Sequence, residues 1–202
     1  MAPTLYHCTN ARSMRPLWTL EEMGLDYTLE TLPFPPRYLA PEFKKINPLG
    51  TVPCYVDGAL TMTESAGICQ YLVDRHGPTD LAVKPSDPDY GEYLNWLHRS
   101  DATFTFPQAL ILRYTVLEPE ERRNPQVAED YRKWFLARMR SVETAMADRK
   151  YLCAGRFTIA DICVGYAIHH ALSLGIEEVL TPHTAAYWER LKTRPAYIRA
   201  CL

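Results

Sequence analysis

No run of apolar residues in this chain approaches the roughly 20 that a helix needs to cross a bilayer, so no membrane-spanning segment and no membrane partner are expected. Nor is there a surplus of positive charge. Its 22 lysines and arginines stand against 24 aspartates and glutamates, for a net charge of -2, whereas a nucleic-acid binder needs a basic face to neutralise phosphates. None of the six cysteines (Cys8, Cys54, Cys69, Cys153, Cys163, Cys201) forms a C-x-x-C pair, and the six histidines show neither H-x-x-x-H nor H-E-x-x-H spacing. A metal site is therefore not expected, and in a chain of this size the thiols are expected to stay reduced. Residues Met1 to Tyr6 carry no charged and then apolar leader pattern, so the expected location is the cytoplasm. There is no internal repeat and no low-complexity tract.

What remains is an ordinary globular composition, 47% hydrophobic and 23% charged over 202 residues, long enough for one large domain or two small ones. The first eighty or so residues alternate short strand-like and helix-like segments. Thr4 to His7 reads as a strand. Met14, Leu17, Trp18, Leu20 and Leu25 recur at helical spacing, with Pro16 in the first turn and Gly24 as the stop. Tyr27 to Leu32 alternates as a second strand, and a loop with Pro33, Pro35, Pro36 and Pro41 follows. A short helical stretch runs from Pro41 to Ile46. Asn47-Pro48-Leu49-Gly50 is a turn signal. Val52 to Val56 and Leu60 to Thr63 read as strands about an Asp57-Gly58 turn, and Ser65, Ile68, Cys69, Leu72 and Val73 mark a helix ending near His76-Gly77-Pro78.

This β-α-β-α-β-β-α order is that of an α/β thioredoxin-like domain, placed at residues 1–77. The polar, proline-bearing stretch 78–88 reads as a linker, and residues 89–202 as an all-α domain. Its first helix runs from Tyr90 to Tyr114, with an interruption expected near Pro107. Val127, Tyr131, Phe135, Met139, Val142 and Met146 form one amphipathic stripe. Phe157-Thr158-Ile159-Ala160-Asp161-Ile162 reads as a capping box with its hydrophobic staple. The last helix is expected from about Thr184 to Lys192, ending before Pro195.

Chemistry concentrates between Asn47 and Ser65. An extended tripeptide with charged ends could pair its central amide and carbonyl with an exposed backbone edge, as an added strand does. A cis Val52-Pro53 bond would turn the Val52 backbone toward such a ligand. Ser65 at a helix start offers a hydroxyl beside unpaired N–H groups, suited to a carboxylate, and Glu64 suits an ammonium. Each element also has a plainer reading, a strand edge for Val52-Pro53 and a helix cap for Glu64-Ser65.

These residues carry a resemblance. The L-Y-H strand with A-R-S-M-R-P-L-W, then N-P-L-G-T-V-P, M-T-E-S-A-G-I-C-Q-Y-L, F-T-I-A-D and Y-W-E-R-L-K-T-R-P-A are similar to the cytosolic glutathione S-transferase family along nearly the whole chain. The resemblance implies a detoxification enzyme, a homodimer, that uses glutathione as co-substrate with no metal and joins its sulfur to an electrophilic small apolar molecule. It implies that Val52 and Pro53 hold the cysteinyl backbone and that Glu64 and Ser65 bind the γ-glutamyl end. Asp101 would be lent to the partner's site, and Phe104, Phe106 and Tyr114 would face the second substrate, or else pack in the core or the dimer interface.

The family's thiol-activating hydroxyl falls on Ala11, which has none. Ser13, then Asn10, then Thr9 are the substitutes, with the backbone N–H of Ala11 or Arg12 as a route that uses no side chain. Arg12 could steady a thiolate or, like Lys45, take the glycyl carboxylate. Two other functions stay open: a non-catalytic binder, favoured by Ala11, and a glutathione-dependent thiol reductase using Cys8.

Overall fold

The computed structural model describes residues 2–202. The chain forms two compact units, one from the residues up to Ala82 together with Lys192–Leu202, the other from Val83–Leu191.

The first unit opens with β1 (Thr4–His7), α1 (Met14–Met23), β2 (Thr28–Thr31), α2 (Pro36–Leu39) and a 3₁₀ turn (Pro41–Lys45). β3 (Cys54–Asp57), β4 (Leu60–Met62) and α3 (Ser65–Arg75) follow. The four strands lie in the order β2-β1-β3-β4. β1 runs parallel to β2, and β3 antiparallel to both β1 and β4, which is the mixed sheet of a thioredoxin-like domain. The strands form where alternation allows it, Leu5 and His7 turning inward from β1 while Thr4 and Tyr6 stay partly exposed. α1 buries Met14, Leu17, Trp18 and Leu20. It stops at Gly24, whose left-handed backbone (φ 61°) returns its N–H to the carbonyls of the last turn, a conformation that carries no Cβ penalty at glycine.

Two details depart from expectation. β3 begins at Cys54, two residues later than the hydrophobic pattern suggested, because Pro53 has no N–H to give a ladder. The proline-rich loop contains the short helix α2, with Pro36 at its first position.

The second unit is helical. α4 (Tyr90–His98) runs through a π-helical turn (Arg99–Thr105) into α5 (Phe106–Leu112) and a second π-helical turn (Arg113–Leu117). The interruption expected at Pro107 is therefore a change of pitch. Pro107 has no N–H for the ladder, and the wider turn before it is laced by the Thr105 hydroxyl, which donates to the Ser100 carbonyl at 3.0 Å. α6 (Pro125–Met146) is capped by Asn124, whose side chain accepts the Val127 N–H at 3.1 Å. α7 (Ile159–Ser173) buries twelve of its fifteen residues and is the unit's core helix. The capping box is formed: the Thr158 hydroxyl accepts from Ala160 N at 3.2 Å, and Asp161 accepts from Thr158 N at 2.8 Å. Asp161 also accepts from Leu152 N (3.0 Å) and the Tyr187 hydroxyl (2.9 Å).

The C-terminus corrects the sequence expectation. α8 starts at Pro182, and a further helix, α9 (Pro195–Ala200), begins at the proline taken as a stop; proline suits a first helical turn as well as a terminus. Residues 192–202, assigned from sequence to the helical domain, group with the first unit. There the Trp18 and Tyr197 rings meet at 4.8 Å, and Arg194 grips the Glu22 carboxylate with two bonds of 2.6 and 2.8 Å.

Candidate functional site

The site is assembled by register. In the β3–β4 hairpin Tyr55 pairs with Met62. β3 begins at Cys54 and β4 ends at Met62, so Val52-Pro53 before the one and Glu64-Ser65 after the other lie at the same end of the sheet. In the β1–β3 pair Tyr6 faces Cys54, so the chain leaves β1 at that same end. The loop after β1, the segment before β3 and the start of α3 therefore converge on one end of the sheet.

The segment before β3 is shaped by Asn47. Its amide donates to the Thr51 carbonyl at 2.8 Å, its side-chain oxygen accepts from Leu49 N at 3.1 Å, and its carbonyl accepts from Gly50 N at 2.9 Å. Asn47 is 2% exposed, so the turn is fixed from inside. Gly50 completes it at φ 59°, where an added Cβ would sit 2.8 Å from the Arg37 Cβ. The Val52-Pro53 bond is cis. Val52 is half-buried, and its amide and carbonyl make no hydrogen bond among the described residues.

At the start of α3, Glu64 is exposed, with extended backbone and no side-chain cap bond. Ser65 is 2% exposed, and its Oγ accepts a hydrogen bond from Nη1 of Arg15 at 2.8 Å. Arg15, on α1, is wholly buried. The sequence motif alone assigns it no role, although a lone cation between Met14 and Pro16-Leu17-Trp18 marks a side chain that must find a partner once buried.

The loop from Cys8 to Ser13 makes a tight turn. Ala11 N donates to the Cys8 carbonyl at 3.1 Å, and Asn10 takes a left-handed backbone (φ 60°), as the third residue of a type II turn must. Thr9 and Asn10 are exposed, Ala11 and Arg12 half-buried. Ser13 is different. It has no exposed surface, and its Oγ lies 2.9 Å from His7 Nδ1 while accepting the Cys8 N–H at 3.2 Å. Whichever ring nitrogen of His7 carries the proton, the partners of the Ser13 hydroxyl are internal. Burial lowers the His7 pKa to about 4, so this contact joins two neutral groups. Cys8 is buried, and burial pushes its thiol up to about 11. It is a thiol and not a thiolate near neutrality.

The other expected residues are scattered. Lys45 is 78% exposed and paired with Glu42. In the second unit, Asp101 is half-buried and accepts from the Thr105 hydroxyl at 3.1 Å. Phe104 has no exposed surface and packs near Trp96, their rings 6.5 Å apart. Phe106 is 49% exposed and meets Tyr131 edge-on. Tyr114 is half-buried under the Arg113 guanidinium. Among the described residues, no three His, Cys, Asp or Glu side chains are placed to hold a metal ion, and no helix is long and apolar enough to cross a membrane.

Comparison with known proteins gives one consistent result. Residues 11–75 match the family described as glutathione S-transferase, N-terminal domain, and residues 107–195 match glutathione S-transferase, C-terminal domain. The chain is 29% identical over 173 residues to glutathione S-transferase 3 of Schizosaccharomyces pombe, an alignment covering 78% of this chain and 69% of the other. It is similar to the theta class glutathione S-transferase of Xanthomonas axonopodis pv. citri, solved with glutathione bound. There the TM-score is 0.84 at 28% identity, over 100% of this chain and 97% of that one. It is also similar to Ure2p5 of Phanerochaete chrysosporium, cocrystallized with 1-(S-glutathionyl)-2,4-dinitrobenzene, with a TM-score of 0.83 at 25% identity over 98% and 92% of the chains.

Proposed function

This chain belongs to the glutathione S-transferase family and is a glutathione transferase that joins the glutathione sulfur to an electrophilic small molecule; from that premise we propose that the tripeptide lies across the end of the sheet that Val52, Glu64 and Ser65 adjoin. The observation that carries this reading is the unpaired amide and carbonyl of Val52. They offer the cysteinyl residue of glutathione a strand-like partner. The γ-glutamyl carboxylate goes to the Ser65 hydroxyl and the first N–H groups of α3, where the helix dipole favours an anion. The γ-glutamyl ammonium goes to the exposed Glu64 carboxylate. Arg12 takes the glycyl carboxylate, with Lys45 as its outer partner.

Thiol activation falls to the loop after β1. The glutathione thiol has an ordinary pKa of about 8.5, and lowering it by about two units requires about 2.7 kcal/mol of preference for the thiolate. The Asn10 carboxamide at the exposed turn, the Thr9 hydroxyl beside it and the positive end of α1 supply that preference, while Ser13 shapes the loop from inside. The burial of Cys8 weighs against a thiol-disulfide reaction through that residue. By the family resemblance, Phe106 and Tyr114 are read as facing the electrophile, and Asp101 as lent to the partner's site. We read the protein as a cytoplasmic homodimer in detoxification, as the family resemblance implies; for the homodimer, Val116 and Trp134, exposed at 57% and 43%, offer apolar area to a second copy.

The test is conjugation of glutathione to 1-chloro-2,4-dinitrobenzene. Glu64→Gln and Ser65→Ala each remove a charge-assisted hydrogen bond worth about 1.5–3 kcal/mol, so each raises the KM for glutathione by about tenfold or more and leaves the KM for the halide alone. An unchanged KM for glutathione in both variants would sink this placement.

A further inference from the structure

Arg15 and Ser65 lie 50 positions apart in the chain, yet the guanidinium Nη1 meets the Ser65 Oγ at 2.8 Å. Both side chains are buried, Arg15 at 0% exposure and Ser65 at 2%. A serine hydroxyl has one proton and two lone pairs. Arginine has only donors, so it fills the acceptor side of Ser65 and leaves the hydroxyl proton directed elsewhere. No acceptor for that proton is found among the described residues. The arrangement sits at the first residue of α3, an eleven-residue helix whose N-terminal N–H groups and dipole also favour an anion.

Three features thus point the same way: a proton without an acceptor, a helix N-terminus, and behind them a cation that keeps its charge at every working pH. A neutral group arriving at Ser65 would use only the hydroxyl. A carboxylate would also draw on the guanidinium's field, in surroundings that screen it far less than water does.

We propose that Arg15 is a positioning residue that makes this site select a ligand with a free α-carboxylate on its γ-glutamyl group. It acts through Ser65, by fixing the direction of the hydroxyl and by its charge, without touching the ligand. The inference rests on the placement of glutathione given above. It adds a specificity determinant that lies outside the segment from Asn47 to Ser65, on the helix that follows the thiol-activating loop.

The test compares two ligands by calorimetric titration: glutathione, and γ-aminobutyryl-cysteinyl-glycine, which lacks only that carboxylate. The wild-type protein binds glutathione more tightly. Arg15→Met weakens glutathione by about 10- to 30-fold, the scale of one charge-assisted hydrogen bond, and changes the affinity for the analogue by less than about twofold. In turnover the same variant raises the KM for glutathione and leaves kcat at saturation unchanged, as expected when binding is lost equally from ground and transition states. Arg15→Lys keeps the charge and recovers most of the discrimination.

Equal weakening of both ligands, or no weakening of either, overturns the proposal, because a residue that merely joins α1 to α3 would act on both alike. If Arg15→Met shows no cooperative unfolding transition, Arg15→Lys alone decides. An intermediate preference for glutathione over the analogue supports the proposal, and an unchanged or abolished preference, or failure of both variants to fold, overturns it. A wild-type protein that does not bind glutathione sinks the placement of the tripeptide itself, a separate result.

Discussion

Ser13 holds the loop after β1 by two internal contacts, to His7 and to the Cys8 N–H. Its replacement by alanine strands a buried ring nitrogen and a buried amide, at a cost of about 1–3 kcal/mol. Thermal unfolding of Ser13→Ala is expected to fall accordingly, while the pKa seen in the pH dependence of kcat/KM stays in place. Asn10→Ala is expected to do the reverse, moving that pKa upward with little change in stability; a shift in the Ser13 variant alone would return the activating role to Ser13. Thiol reactivity gives a second check. Cys201 is the exposed cysteine, and the other five are buried, Cys8 with its pKa pushed up to about 11. Titration of the native protein with a disulfide reagent at neutral pH is expected to show one fast thiol, lost in Cys201→Ser. Some of this was legible in the sequence and some was not. Val52, Pro53, Glu64 and Ser65 stand out because the roles proposed for them are argued from neighbours along the chain. The inward turn of Ser13 and the Arg15–Ser65 bond do not, because each depends on which face of α1 is buried and on a partner that the fold supplies.

Among the elements, the turn from Asn47 to Gly50 bears most directly on the site, since it delivers Val52. Gly50 and Gly58 share nearly the same left-handed φ of 59°, but a Cβ at Gly50 would lie 2.8 Å from that of Arg37 while one at Gly58 would meet nothing within 4 Å. Gly58→Ala is expected to cost only the backbone penalty, about 1 kcal/mol. Gly50→Ala is expected to cost more, about 2–3 kcal/mol, and to raise the KM for glutathione as the turn shifts; equal losses of stability would refute the crowding argument. In the second unit, Glu143 on α6 caps α8, accepting from the Thr181 hydroxyl (2.5 Å) and from His183 N and Thr184 N at 3.1 and 2.8 Å. Partial burial raises its pKa, but these hydrogen bonds, from Thr181, Thr184 and His183, outweigh it and lower the pKa from 4.5 to about 2. A folded pKa below the unfolded one means the carboxylate stabilises the fold above pH 4.5 and loses that contribution as pH falls toward 2. The stability difference between wild type and Glu143→Gln, measured by denaturant unfolding, is expected to be constant from pH 7 to about 5 and to close below that. The sequence marked α6 by its stripe and α7 by its capping box. It could not mark α2 or α9, because a proline that stops one helix starts another with the same φ.

For the molecule as a whole, the α9 contacts with α1 set the terms. Arg194 grips Glu22, Arg199 bonds Glu21, and Tyr197 lies against Trp18. Removal of residues 193–202 is expected to lower both thermal stability and glutathione affinity, because α1 follows the loop proposed to activate the thiol and carries Arg15. Arg194→Ala, which takes away one bidentate pair, is expected to act in the same direction by about 1–2 kcal/mol. Truncated protein with wild-type glutathione affinity would detach α9 from the site.

The same closure has a meaning for biosynthesis. Residues 83–191 form one uninterrupted unit, whereas the first unit joins the residues up to Ala82 with Lys192–Leu202. At ribosomal rates of about 5–20 residues per second, β1 waits roughly 10–40 s for the segment that covers Trp18. The helical unit can complete its core on the ribosome while the nascent sheet is still exposed, and Trp18 gains the cover of Tyr197 only once that later segment has emerged.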